Sequence, residues 1–293
     1  MKKSNKVLGS ILLSLAASIW GGMFVVVKSI VTIIPPVELV WLRYLIAFWA
    51  LLFYCCLKKI KWHWDWKNGS LIIIAGIIGN TISIVTQETG TWLSSAQLGS
   101  VITAATPTFM VIFAWILLHE QITTVKIISL ILATVGVISI VGIHPTGSHG
   151  LMGIMMLIIA ALTWALMSVI NKMIDPQYNV LEITTISVLI AICCLTPFVI
   201  HNWSGTLSHV NFLAFNIWGS LIYLGVISTA TAFVMWNQGL KYLNAASSGL
   251  FFLFQPVVGT LLGWLLLHEQ ITWGFLIGAF LIAGSIWYSI RFS

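Results

Sequence analysis

Charge is the scarcest commodity in this sequence. Lysine, arginine, aspartate and glutamate make up 7% of its 293 residues, where a soluble domain carries roughly 25%. A chain that is also 59% hydrophobic cannot hide its apolar residues in one aqueous core, because a folded sphere has too little interior for them. The connections between apolar runs are too short to hold a soluble catalytic or nucleic-acid-binding domain. Cysteine is scarce as well: four residues, in the adjacent pairs Cys55-Cys56 and Cys193-Cys194. Neighbouring cysteines rarely bridge each other and have no metal-ligand spacing, so they read as small apolar side chains. No Walker motif and no GxSxG elbow is present. His119-Glu120 and His268-Glu269 lack the second histidine that a zinc-binding HExxH helix needs one turn later. No cofactor and no metal is expected.

Long apolar runs are abundant. A hydrocarbon layer about 30 Å thick needs about 20 apolar residues per helix, and ten stretches qualify: 7–27, 37–57, 71–87, 95–118, 125–141, 151–170, 181–200, 217–236, 245–267 and 273–290. The short alternating strands of an outer-membrane barrel are missing. The expected fold is an all-α integral membrane protein with ten transmembrane helices. The net charge of +6 does not call for an acidic partner. With the N-terminus inside, Lys2, Lys3, Lys6, Lys58, Lys59, Lys61, Lys67, Lys126, Lys172, Lys241 and Arg291 all lie on the cytoplasmic side, 11 of the 13 basic residues. The positive-inside rule therefore sets both termini inside. The first apolar run is too long for a signal peptide and is read as a retained helix.

The phrase LLHEQIT occurs at 117–123 and again at 266–272, 149 positions apart. The same shift brings Gly76 onto Gly225, Gly90 onto Gly239, Ala96 onto Ala245, Pro107 onto Pro256 and Trp115 onto Trp264. Near the start the offset is 144, matching Ala16-Ala17, Trp20, Met23 and Lys28 with Ala160-Ala161, Trp164, Met167 and Lys172. The chain thus divides into residues 1–145 and 146–293, five helices each. Five is odd, so the second repeat enters the membrane from the opposite side. Inverted repeats are a recurrent architecture of secondary transporters, in which a site between the halves opens alternately to either face. His119 and Glu120 read as wet, interfacial turn residues, and Thr123 and Thr272 as N-caps of the following helices.

These residues carry a resemblance. Ala16-Ala17 through Trp20-Gly21 to Lys28, then Leu42-Arg43-Tyr44, then Thr106-Pro107 leading to Leu118-His119-Glu120, resemble the EamA-type pattern of the drug/metabolite transporter superfamily. The second half repeats it with Ala160-Ala161, Trp164, Lys172, Pro256, Glu269 and Gly284. The resemblance spans nearly the whole chain, and the Pro-to-Glu hairpin is its most specific part. It departs from symmetry in one respect: no arginine of the second half matches Arg43, and Glu182 is the nearest charge. The resemblance implies ten helices, a central cavity between halves, and export of amino acids, other metabolites or drugs.

Polar residues deep in such helices should face the interior, because lipid exposure is costly. In the fourth helix Ser100, Thr103 and Thr106 form a stripe ending at Pro107. Gly249, Phe252 and Gln255 form its equivalent, ending at Pro256. Each proline removes a backbone hydrogen bond and predicts a hinge or packing kink. The third helix offers Asn80, Ser83, Ile84, Gln87 and Glu88 on one face, and the eighth Thr229, Phe233, Trp236 and Asn237. With Trp20 and Trp164 they are expected to line a cavity of amide, hydroxyl and aromatic groups suited to a zwitterionic or amphipathic small molecule. Trp62, Trp64 and Trp66 belong to an interfacial belt.

Glu88 is the candidate proton-coupling or ammonium-binding group, with a headgroup-layer glutamate as the plain alternative. Arg43 is expected to pin helices together, with Glu38 five residues earlier as a partner bridged across neighbours. Lys28 and Lys172 can snorkel to the interface. Gly259 and Gly263, and Gly274 and Gly278, form GxxxG patterns that bring helices together within one subunit or across a homodimer.

The leading expectation is a secondary carrier in the bacterial plasma membrane, taking a small-molecule substrate, most readily an amino acid or related amphipathic compound, and using neither ATP nor nucleic acid. A drug efflux carrier of the same fold is the alternative, with an intramembrane enzyme or a channel more remote.

Overall fold

In the computed structural model, residues 3–141, 150–212, 214–267 and 273–292 are described. All their regular elements are helical. They are α1 (Lys3–Ile30), α2 (Pro36–Leu57), α3 (Trp66–Leu93), α4 (Ala96–Leu118), α5 (Thr124–Val141), α6 (Gly150–Met173), α7 (Val180–Asn202) and α8 (Phe215–Tyr242). α9 runs from Ala245–Gly249 through Leu250–Leu253 to Phe254–Leu267, and α10 is Trp273–Phe292. A helix stands on each apolar run read from the sequence. Among the described residues, α1–α4 and α6–α9 are long and apolar enough to cross a membrane, eight in all. The protein is therefore a multi-pass membrane protein. α5 and α10, of 18 and 20 residues, pack on each other.

Local chemistry sets the starts. Pro36 occupies the first turn of α2, where its missing N–H costs nothing. Side chains of Asp65, Ser95, Asn179 and Asn244 accept from the amides of Asn68, Leu98, Leu181 and Ser247, capping α3, α4, α7 and α9. Thr123 caps α5 through the Lys126 amide at 3.4 Å. Thr272, its counterpart, lies outside the described residues, as do His268 and Glu269.

The repeat is structural as well as textual. α3 and α8 start 149 positions apart, as do α4 and α9, and α2 and α7 start 144 apart. Packing repeats with an exchange: α1 lies against α8 and α9 of the second half, and α6 against α3 and α4 of the first. Two glycine pairs register this closely. A Cβ on Gly90 would meet Leu157 and the carbonyl of Gly153; one on Gly239 would meet Leu13 and the carbonyl of Gly9. Likewise Gly76 rests on Ser187 and Ile190, and Gly225 on Arg43 and Ile46.

Each half also bends its helices at matching places. α3 widens into a π-helix over Gly76–Ser83, and α8 over Tyr223–Thr231. There Thr81 and Thr229 donate to carbonyls five residues back, Gly76 and Leu224. Such widening leaves carbonyls available for other donors: Tyr44 Oη donates to the Asn80 carbonyl at 2.6 Å and Trp20 Nε1 to that of Ser228 at 2.9 Å. α4 breaks at Ala104-Ala105 before Pro107, and α9 tightens into a 3-10 turn before Pro256.

Several readings change. Glu120 is not simply a wet interfacial residue: its carboxylate accepts from the amides of Ala245 at 2.8 Å and Ala246 at 3.3 Å, so the LLHEQIT turn of the first half caps α9 of the second. His119 beside it takes the left-handed conformation, φ 54°, that ends α4. Lys28 and Lys172 have fixed partners at their helix ends: both ammonium groups bond backbone carbonyls, Lys28 those of Thr91, Trp92 and Ser94, and Lys172 those of Leu240 and Leu243. Gly259 meets Ser100 and the carbonyl of Gly21 on α1 rather than α10. Trp62, Trp64 and Trp66 are exposed, in keeping with a belt.

Candidate functional site

At the centre, where α1, α6, α8 and α9 meet, five aromatic rings interlock. Trp20 stands 5.1 Å from Trp164, 5.9 Å from Phe233, 5.4 Å from Trp236 and 5.6 Å from Phe252, between ring centroids. The duplicated tryptophans Trp20 and Trp164 therefore meet edge to face, one from each half of the chain. A small cavity of about 10 Å³ opens among Trp20, Met23, Ile84, Gln87, Trp164, Phe233, Phe252 and Gln255. A second of the same size is lined by Asn80, Trp164, Met167, Asn171, Thr184, Ser187, Phe233, Trp236 and Asn237. Each is about the size of one water. Trp164 and Phe233 form the wall between them. Asn171 and Asn237 in turn border a wider vestibule of about 150 Å³ with Lys172, Pro176, Val180 and Lys241, at the end where α6 and α8 finish.

Ten of the residues read as cavity-lining thus surround these two chambers: Trp20, Asn80, Ile84, Gln87, Trp164, Phe233, Trp236, Asn237, Phe252 and Gln255. Three do not. Ser100 is buried against Gly259 and donates to the Gln97 carbonyl. Thr103 donates within its own helix and lies 3.1 Å from Gln255 Oε1, supporting a lining residue from behind. Thr229 belongs to a separate cluster around Arg43.

That cluster corrects two expectations. Glu88 is no headgroup glutamate: it is fully buried, and its Oε1 accepts from Arg43 Nη1 at 2.5 Å. Arg43 pairs with Glu88, not with Glu38. Its other donors reach Thr229 Oγ1 at 2.9 Å, Ser228 Oγ at 3.1 Å and the Met23 sulfur at 3.5 Å. Arg43 does pin helices, α2 to α3 and α8. Met23, which also lines the aromatic chamber, separates the pair from it.

Sequence matching passed over Asn171, Thr184 and Ser187. Asn171 lies two turns beyond Trp164 on one face of α6, but its counterpart at offset 144 is Val27, so symmetry did not mark it. Ser187 is the residue that matches Arg43, and Asn237 the one that matches Glu88.

The vestibule end is tied together by polar contacts. Tyr178 Oη donates to Asp65 Oδ2 at 2.5 Å, Asn68 Nδ2 to the same oxygen at 2.9 Å, and the Asp175 amide to Asn68 Oδ1. The Tyr178 hydroxyl, followed by the Asn68 amide and side chain, holds the Asp65 carboxyl down at about 2. The His63 amide donates to the buried carboxylate of Glu182.

Comparison with known proteins follows the same lines. The sequence pattern described as the EamA-like transporter family matches residues 7–142 and 151–291. An uncharacterized transporter of Archaeoglobus fulgidus is 28% identical over 285 residues, 96% of this chain and 98% of that one. The "Probable amino-acid metabolite efflux pump" of Escherichia coli is 24% identical over 286 residues, 96% of this chain and 94% of that one. A crystal structure 16% identical in sequence superposes with a TM-score of 0.79 over 100% of both chains, which shows the same fold.

Proposed function

Because the chain belongs to the EamA-like transporter family, we propose that it is a secondary carrier that exports a small amphipathic metabolite by alternating access. Amino acids and related compounds are the leading substrates, the class for which the Escherichia coli relative is named. Residues 1–145 and 146–293 would be two inverted five-helix repeats, N-in and C-in, in the bacterial plasma membrane. The vestibule beside Lys172 and Lys241 then faces the cytoplasm, in accord with the positive-inside rule.

The observation that carries this reading is the pair of small chambers at the centre, enclosed by aromatic rings and amides from both halves. Apolar walls with a few fixed polar groups are what an amphipathic ligand needs. Chambers the size of one water belong to a closed state, so substrate entry requires the halves to move. Glu88 is the candidate for proton coupling, since an intramembrane carboxylate is by default functional.

The test is flux in proteoliposomes. A carrier saturates and exchanges substrate across the membrane; unsaturable flux would make it a channel. Topology is tested by labelling the turns at His119 and His268, which must react from opposite sides. Reaction from one side would end the inverted-repeat reading.

A further inference from the structure

The buried Arg43–Glu88 pair has a counterpart position in the other half, and no arginine stands there. At offsets 144 and 149, Arg43 corresponds to Ser187, Glu88 to Asn237, Met23 to Met167 and Thr229 to Asn80. The packing confirms the equivalence: a Cβ on Gly225 would sit 3.0 Å from the Arg43 carbonyl, and one on Gly76 3.0 Å from the Ser187 carbonyl. In the first half, the guanidinium fills the space between Glu88, Thr229 and the Met23 sulfur. In the second half Ser187, Asn237, Asn80 and Met167 border the same space, and it is a cavity.

The hydrogen bonds around that cavity have a fixed sense. Thr184 spends its hydroxyl proton on the Val180 carbonyl, so its oxygen accepts from Asn237 Nδ2 at 3.1 Å. Asn237 therefore presents Oδ1 to Asn171 Nδ2 at 3.0 Å. Among the described residues, Asn171 Oδ1 is left as a buried acceptor with no donor, and Ser187 Oγ has no partner. Trp164, which lines the same cavity, carries at Nε1 a buried donor with no acceptor among the described residues. Three unsatisfied polar atoms around one small space are costly unless something fills it.

We propose that this cavity receives the planar, uncharged end of the transported molecule, a carboxamide or ureido group that stands where the Arg43 guanidinium stands in the other half. The proposal rests on the transport reading above and narrows its substrate class. N–H groups of the ligand would serve Asn171 Oδ1 and Ser187 Oγ, and its carbonyl would accept from Trp164 Nε1. A cationic guanidinium is disfavoured, because Asn237 replaces the carboxylate that neutralises Arg43 and no charged side chain lines the cavity. Met167, an unbranched and adaptable side chain, is the group that must move to admit the ligand. The rest of the molecule would extend past Trp164 and Phe233 into the aromatic chamber.

Citrulline and arginine are a matched pair for the test, a ureido group against a guanidinium on the same skeleton. Saturable binding and flux of purified, reconstituted protein should favour citrulline by about 100-fold. Asn237→Glu restores the missing carboxylate and should reverse the order. Asn171→Leu, which removes the free acceptor, should weaken citrulline at least about tenfold, with the folded state checked by gel filtration. Saturable flux of amino acids that prefers arginine, or that ignores both substitutions, would overturn the subsite and leave the carrier standing. Flux of no amino acid at all would remove the amino-acid substrate class, and the subsite with it; the carrier reading itself falls only if flux of every substrate is unsaturable.

Discussion

Lys28 and Lys172, 144 residues apart in sequence, close the same bond at opposite ends of the molecule. Lys28 Nζ holds the carbonyls of Thr91 and Ser94; Lys172 holds those of Leu240 and Leu243, each 149 positions further on. The Lys28 clasp lies at the end of α3, beside Gly153 at the start of α6, whereas Lys172 ends α6. An ammonium on the last carbonyls of a helix satisfies orphan acceptors and opposes the negative end of the dipole. Since α1 packs with α8 and α9, and α6 with α3 and α4, each lysine ties one helix bundle to the other.

Both clasps are closed here, which fits chambers of water size. Under the alternating access proposed above, they open one at a time. In a background with Cys56, Cys193 and Cys194 replaced by serine, Asn171→Cys should react with a soluble thiol reagent several-fold faster when combined with Lys172→Met, and more slowly with Lys28→Met. Equal rates in both would show that the lysines do not hold the ends.

The Arg43–Glu88 pair sets a stability prediction. Arg43→Leu leaves a buried carboxylate without its partner, and breaking such a pair costs about 3–5 kcal/mol. Arg43→Leu with Glu88→Leu removes both charges and should recover most of that loss. Thermal unfolding in detergent reads the difference; a double variant no more stable than the single one would mean that the pair is not the source.

Glu88→Gln should retain substrate binding and lose the pH dependence of flux. Proteoliposomes loaded at a series of internal pH values measure this directly. A profile identical to that of the parent would take Glu88 out of the transport cycle.

At the vestibule end, Asp65 sits well below an ordinary carboxyl, whose value is about 4, and is held at about 2. A group depressed by folding contributes stability above its unfolded value and loses it as pH falls toward the folded one. Thermal stability should therefore drop between about pH 4 and pH 2, and Asp65→Asn should flatten that limb. An unaltered acid limb in the variant would assign it to other groups.

The chambers make a kinetic prediction of their own. Trp164→Ala and Gln87→Ala should each raise the half-saturation concentration about tenfold or more while the protein remains folded and monodisperse. Unchanged kinetics in both would place the substrate path elsewhere.

Much of the fold was legible because it follows from strong, local signals. Apolar run length placed every helix, and LLHEQIT with its proline exposed the repeat. Half-matched residues were harder to place. Pattern matching could show that Arg43 has no arginine counterpart, yet only packing reveals that Ser187 stands there with a cavity in front of it. Glu88 lies 45 residues from Arg43 in sequence, and no helical spacing could join residues on different helices. The π-helical stretches, which lie where Gly76 and Gly225 pack closely on α7 and α2, left no sequence signature either. Glu120 looked like a surface residue because its partner amides belong to the other half.

The exchange of α1 and α6 bears on how the protein is made. The face of α1 carrying Gly9, Leu13 and Gly21 has its partners in α8 and α9. On the ribosome those partners emerge only when most of the polypeptide has been synthesised. Seating of α1 against α8 and α9 is therefore expected to come after most of the chain has been made. Two fragments split near residue 145 should be inert alone and regain activity when produced together.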